Sequence, residues 1–318
     1  MPETFSIPLR TRFRGITVRE GLLFHGDAGW GEFSPFLEYD ARTSAPWLAA
    51  ARESADLGWP APVRSSVPVN VTVPACDPSL AADIVRRSSG CRTAKVKVAE
   101  PGQSVADDVA RLEVVRDVIG ADGLVRIDVN GGWSVDEAIE RIPKLDRAAG
   151  GLEYVEQPCA TVEELAAVRR RVSVPIAADE SIRRAADPYR VRDLEAADIA
   201  VLKVQPLGGV RACLRIAEEI EMPVVVSSAV ESSIGIAAGV ALAAALPSLP
   251  HACGLATVQL LADDVVTDPL LPVDGRLAVR RPEVDAAAVL RVRAGEGRRT
   301  HWERRLAEVS AVLKDQRS

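Results

Sequence analysis

A parallel α/β barrel of eight strands and seven helices, set behind a small α+β unit, is the fold that this 318-residue sequence predicts. Three observations carry that expectation. Past Pro62 short apolar runs alternate with helical patterns, the rhythm of a parallel sheet wrapped by crossover helices. The apolar runs end on ionisable residues that their burial does not require. Residues 1–65 keep a different rhythm, strands first and a helix after, the pattern of a separate α+β unit.

Taken in order, residues 16–33 alternate apolar and polar side chains around Asp27-Ala28-Gly29 and predict an antiparallel hairpin. Residues 44–57 predict a helix stopped by Gly58 and Pro60. Barrel strands are expected at 67–73, 93–98, 125–129, 152–156, 175–178, 199–204, 223–227 and near 251–254. Helices are expected between them at 78–88, 104–119, 134–148, 162–171, 188–195, 210–221 and 233–246. Ser104, Ser134 and Thr161 stand where N-caps belong, each followed by acidic residues in the first turn. From Asp263 the alternation fades; Asp274-Gly275 predicts a tight turn and residues 302–313 a last helix.

Composition narrows the function. A formal net charge of −6 argues against a nucleic-acid footprint, so no nucleic-acid partner is expected. The longest apolar stretch, 234–246, is short of the roughly 20 residues a membrane span needs, and its Gly235-x-x-x-Gly239 predicts close helix packing in a protein core. Residues 1–15 mix Pro, Arg and Glu without an apolar segment, so no secretory signal is expected. The five cysteines are scattered and odd in number, with no Cys-x-x-Cys pair, which predicts reduced thiols in a cytoplasmic protein. Oligomeric state stays open, and a monomer is compatible with everything above.

The chemistry lies at the strand ends. In Thr93-Ala94-Lys95-Val96-Lys97-Val98 the side chains alternate, so Lys95 and Lys97 share one face while the valines take the other. Alone, such a strand reads as a solvated edge. The following strands end at Asp128 with Asn130 beyond it, at Glu156 before Gln157-Pro158, at Asp179-Glu180 and at Lys203. Each is about one βα repeat after the last, so a closed barrel brings them to a single mouth. Any one carboxylate could as well cap a helix or join a surface ion pair. Three at neighbouring strand ends repel one another unless a cation lies among them. An all-oxygen donor set suits a hard ion, Mg²⁺ foremost with Mn²⁺ as a substitute. Such a site suits proton abstraction beside a carboxylate: the ion stabilises the enediolate, and the Lys95 ammonium next to Lys97 favours a neutral amine.

The ordered set Lys95-x-Lys97, Asp128-x-Asn130, Glu156-Gln157-Pro158, Asp179-Glu180 and Lys203 resembles the enolase superfamily, in its muconate-lactonising-enzyme-like branch. The resemblance covers essentially the whole chain. It implies a TIM-type (β/α)7β barrel (66–262) under an α+β cap built from residues 1–65 and a C-terminal segment (263–318) that returns to it. It implies Asp128, Glu156 and Asp179 as metal ligands supported by Asn130 and Glu180, Lys97 as the acid/base, Lys95 as its tuner, and Lys203 facing it across a small carboxylate substrate. The loop 12–16 would then contribute to specificity.

Within that branch, 226–235 and Gly254-Leu255-Ala256-Thr257 look most like the o-succinylbenzoate synthase family, which implies a dehydration and points to Ser227, Ser228 and Gly254 as substrate contacts. The place where dipeptide epimerases carry an Asp-x-Asp pair reads Gly254-Leu255-Ala256, and His251 has no obvious Asp partner for a His–Asp dyad. Racemisation of N-acylamino acids by Lys97 and Lys203 is left open by the same residues. More remote are a Schiff-base aldolase using Lys203 and a barrel that only binds.

Overall fold

A computed structural model describes residues 2–183 and 187–315. Strands β1 (Glu3–Phe13), β2 (Ile16–Gly26) and β3 (Gly29–Phe33) form an antiparallel sheet, covered by α1 (Ala41–Arg52). The hairpin expected at 16–33 is β2 and β3, with Gly26 paired to Gly29 across the turn. Strand β1 was not anticipated: only its first half is buried, through Thr4, Phe5 and Ile7, and the second half alternates exposed arginines. Helix α1 begins earlier than expected because Asp40 caps it, accepting from the Thr43 amide at 2.7 Å. It runs on as one π-helical turn, Glu53–Leu57, and stops at Gly58, whose φ of 65° favours glycine.

Residue Gly31 lets α1 lie directly on β3. A Cβ there would stand 2.0 Å from the Ala51 carbonyl oxygen.

After β4 (Ser66–Pro68) the barrel runs as β5 (Val71–Val73), α2 (Pro78–Arg86), β6 (Thr93–Lys97), α3 (Val105–Ile119), β7 (Leu124–Asp128), α4 (Val135–Ala148) and β8 (Leu152–Glu156). It continues as α5 (Val162–Arg169), β9 (Ile176–Ala178), α6 (Asp187–Asp193), β10 (Ile199–Lys203), α7 (Val210–Ile220), β11 (Val224–Ser227) and α8 (Ser233–Ala245). Strands β5 to β11 are parallel neighbours in chain order. Ser104, Ser134 and Thr161 form full capping boxes with Asp107, Glu137 and Glu164.

Two strand expectations change. The run 67–73 divides at Val69, because β4 pairs antiparallel with β12 (Arg276–Ala278) while β5 enters the barrel. The Val69 amide goes to the Gly275 carbonyl at 2.9 Å and the Asn70 amide to Cys253 at 3.0 Å. The eighth strand shrinks to bridges at Cys253 and Gly254, which join Val69 to Ser227 and close the barrel.

Side-chain alternation then sorts the two faces. Tyr154, Ala177, Ile199, Val201 and Val225 fill the barrel interior, while Val96, Val125, Ile127 and Val155 pack outward against the helices. The chain finally returns to the cap through α9 (Ala286–Arg291) and α10 (Glu296–Asp315). The Ser6 amide donates to Val292 and the Ala294 amide to Thr4, which fastens the returning segment to β1. From α10, buried Arg305 donates to the carbonyls of Pro35, Phe36 and Tyr39 and so holds the loop after β3. No helix among the described residues is long and apolar enough to cross a membrane.

Candidate active site

Parallel register lines up the strand ends. Lys97 pairs with Asp128, Asp128 with Glu156, and Lys203 with Ser227, which in turn bridges to Gly254. Asp179 follows the last residue of β9. All the anticipated strand-end residues therefore meet at the carboxyl end of the barrel.

A cavity of about 40 Å³ opens there. Lys95, Lys97, Asp128, Asn130, Asp179, Lys203, Ser227, Ser228 and Gly254 line it, and the cap closes it with Phe13, Arg14 and Phe36. Glu156 is buried beside it and Glu180 lies just outside, joined to Asn130 Nδ2 at 3.2 Å. Of the loop 12–16, Phe13 and Arg14 reach the wall; the Phe13 ring centre is 5.6 Å from Lys97 Nζ.

Each lysine is set against carboxylate. Lys95 Nζ lies 2.6 Å from Glu156 Oε1 and 2.8 Å from Asp128 Oδ2. Lys97 Nζ lies 2.5 Å from Asp128 Oδ2 and 2.6 Å from Asn130 Oδ1, and Lys203 Nζ 2.5 Å from Asp179 Oδ2. Burial opposes the charge on Lys95, but Asp128 and Glu156 hold its ammonium well above the ordinary range. Burial likewise works against Asp128, which Lys95 and Lys97 keep ionised. One ammonium shared by two carboxylates leaves Glu156 under-compensated: burial and then the Asp128 charge push it up to about 8. Arg183 and Lys203 outweigh burial at Asp179 and hold it well below the usual carboxylate range, whereas burial and the Arg183 charge lower Lys203.

Sequence reasoning missed Arg183. Its guanidinium sits 2.9 Å from Asp179 Oδ2 and 2.6 Å from Glu180 Oε1. Its spacing from that acidic pair, three and four residues, was the available signal. The Ser228 hydroxyl donates to the Gly254 carbonyl at 2.9 Å and pairs with Thr257 Oγ1 at 2.8 Å, which makes it part of the wall's internal bonding. Gly254 is bare for a reason: a Cβ there would stand 2.7 Å from Ser227 Oγ. His251 does have a carboxylate partner, Glu153 at 2.7 Å, at the opposite end of strand β8 from Glu156.

The donor set suits a hard cation. Three carboxylates converge, Glu156 is not fully neutralised by the lysines, and its Oε2 is buried with no hydrogen-bond partner. As the side chains stand, each carboxylate is turned onto a lysine or arginine, and no three acid, His or Cys side chains among the described residues are grouped to hold an ion.

Known proteins share this sequence pattern and this fold. The family model described as Enolase C-terminal domain-like matches residues 79–283, and Enolase N-terminal domain-like matches 4–55. The chain is 68% identical to an o-succinylbenzoate synthase of Thermobifida fusca over 308 residues, spanning 97% of this chain and 95% of that one. It belongs to the o-succinylbenzoate synthase family of the enolase superfamily. Other members of the o-succinylbenzoate synthase family, from Mycolicibacterium smegmatis and Mycobacterium tuberculosis, are 56% and 53% identical over 97% of the chain and 94% and 93% of their own lengths. The muconate lactonizing enzyme of Pseudomonas putida shares the fold at a TM-score of 0.78 and 22% identity, covering 92% of this chain and 98% of that one. The L-Ala-D/L-Glu epimerase of Bacillus subtilis does so at 0.77 and 23%, covering 89% and 96%.

Proposed function

We propose that this protein is an o-succinylbenzoate synthase, a hydro-lyase that removes water from 2-succinyl-6-hydroxy-2,4-cyclohexadiene-1-carboxylate to give 2-succinylbenzoate, a step toward menaquinone. The observation that carries the reading is near-full-length identity to synthases of that name, together with lysines and carboxylates at one barrel mouth.

Lys97 is the acid/base. Its ammonium rests between Asp128 and Asn130, so those two acceptors fix where the amine stands when it has lost its proton. Lys97 takes the proton from the carbon bearing the carboxylate, and the C–H electron pair moves into the carboxylate as an enediolate. When that pair returns to the ring the C–O bond breaks, and the same Lys97 gives its proton to the departing hydroxyl as water. Lys203, buried on the other side of the cavity, keeps positive charge over the developing anion. Asp128, Glu156 and Asp179 would hold Mg²⁺, or Mn²⁺ in its place. A divalent cation supplies there the charge against which both substrate carboxylate oxygens become more negative. Phe13 and Phe36 exclude water from the far side. The five unpaired cysteines support a cytoplasmic location.

Because Lys97 and Lys203 line one cavity, racemisation of an N-succinylamino acid is a second reading. Purified protein should be assayed with both substrates and Mg²⁺. Dehydration is expected; racemisation without dehydration would overturn the proposal.

A further inference from the structure

The wall of the site that follows β11 is held in place by the cap. Ser227, Ser228, Ala229 and Val230 line the cavity, and Val230 has a φ of 64°. A β-branched residue leaves that conformation unless its surroundings fix it.

The fixing contacts come from strands β2 and β3. The Arg19 Nε donates to the Val230 carbonyl at 3.2 Å, and its Nη2 reaches Ser34 Oγ at 3.0 Å. Ser34 Oγ donates to Glu32 Oε1 at 2.6 Å. Glu32 Oε2 then accepts from the Ser232 and Gly235 amides, both at 3.1 Å, at the start of α8. Below them the Ala229 amide donates to Glu231 Oε2 at 2.6 Å. Arg19, Glu32, Ser34, Glu231 and Ser232 are all buried. Arg19 also carries the cavity wall on its other side, with its guanidinium 4.7 Å from the centre of the Phe36 ring.

We infer that Arg19 and Glu32 are positioning residues for the reaction: one bonded chain, Arg19–Ser34–Glu32, sets the Ser228–Val230 wall and the Phe36 wall against each other and so fixes the width of the substrate cavity. Neither residue lines the cavity or touches the lysines and carboxylates. Their effect passes through backbone that contacts substrate, so it falls on substrate binding more than on proton transfer.

This inference rests on the dehydration reading, and two measurements keep the two apart. Hydrogen exchange on substrate-free protein tests the positioning by itself. Arg19→Lys keeps the charge but loses the Nε contact, and is expected to speed exchange in peptides spanning 228–235 at least tenfold, with peptides of β6 and β7 unchanged. Steady-state dehydration should show KM raised about tenfold with kcat within threefold. Glu32→Gln, which keeps the shape and an acceptor oxygen, should restore near-parental KM where Glu32→Ala does not. Parental exchange across 228–235 in Arg19→Lys, exchange accelerated evenly through the whole chain, or a fall confined to kcat would each overturn the positioning role. If the parental protein dehydrates nothing, the activity reading falls and the exchange result alone decides the positioning.

Discussion

Lys95 and Lys97 are neighbours on one strand face with unequal surroundings. Lys95 is clamped between two carboxylates and remains a cation, whereas Lys97 contacts one carboxylate and the Asn130 amide oxygen. With Lys97 as the proposed acid/base, Lys97→Ala should lower kcat by ~10²–10⁴-fold or more. Loss of α-proton exchange in D₂O is the readout; exchange at the parental rate in that variant would rule Lys97 out as the base. These residues were legible because strand ends recur at one repeat and carry charge that burial does not explain. Which lysine does what is not legible from spacing; the family resemblance assigns Lys97 as the acid/base and Lys95 as its tuner.

Glu32 belongs to the same scale. Burial pushes its carboxyl up to about 7 from an ordinary 4.5, against the attraction of Arg19 and with added repulsion from Glu231. A carboxyl raised in the folded state favours folding while it is protonated, and that contribution is lost as pH rises from about 4.5 through 7. Relative to Glu32→Gln, the parental protein should lose on the order of 3 kcal/mol of unfolding free energy across that window. Urea unfolding of both proteins at several pH values measures it, and parallel curves would refute it. No sequence pattern could have paired Glu32 with Ser232, because 200 positions separate them.

At the scale of elements, the helix starts were read best. Ser104, Ser134 and Thr161 announce themselves through an acidic residue three places on, and each box is local enough to be complete within four residues. The division between β4 and β5 and the residual eighth strand were hidden for the opposite reason, since their boundaries depend on partners far along the chain: β12 and Cys253 for the first, Val69 and Ser227 for the second. Strand β1 pairs with its neighbour β2 and was hidden because only its first half is buried. The contact of α1 with β3 is equally invisible, since it rests on what Gly31 lacks. Gly31→Ala must push the helix off the sheet, and a loss near the upper end of ~1–3 kcal/mol is expected in urea unfolding. A change under about 0.5 kcal/mol would show that α1 can shift without cost.

At the scale of the whole molecule, folding gathers three carboxylates from neighbouring strand ends and turns each onto a lysine or arginine. An ion that binds this arrangement and not the unfolded chain stabilises the fold by about 2.7 kcal/mol at a hundred times its dissociation constant. Mg²⁺ should therefore raise the melting temperature, and EDTA should reverse the rise. Asp179→Asn should shrink the shift; an equal shift in that variant would remove Asp179 from the ligand set. Charge and period made the barrel mouth readable, while residues 1–65 were readable by themselves only as a separate α+β unit and as a cap only through the family resemblance.

Arg305 brings time into this arrangement. It lies in α10, near the end of the chain, yet it holds the carbonyls of Pro35, Phe36 and Tyr39 and so the loop that carries Phe36 to the cavity. During synthesis every barrel strand leaves the ribosome before Arg305 does. The acids and lysines can thus assemble on a chain still being made, but their cover is locked down last, and a product truncated after the barrel would carry a reactive mouth with its Phe36 wall unanchored.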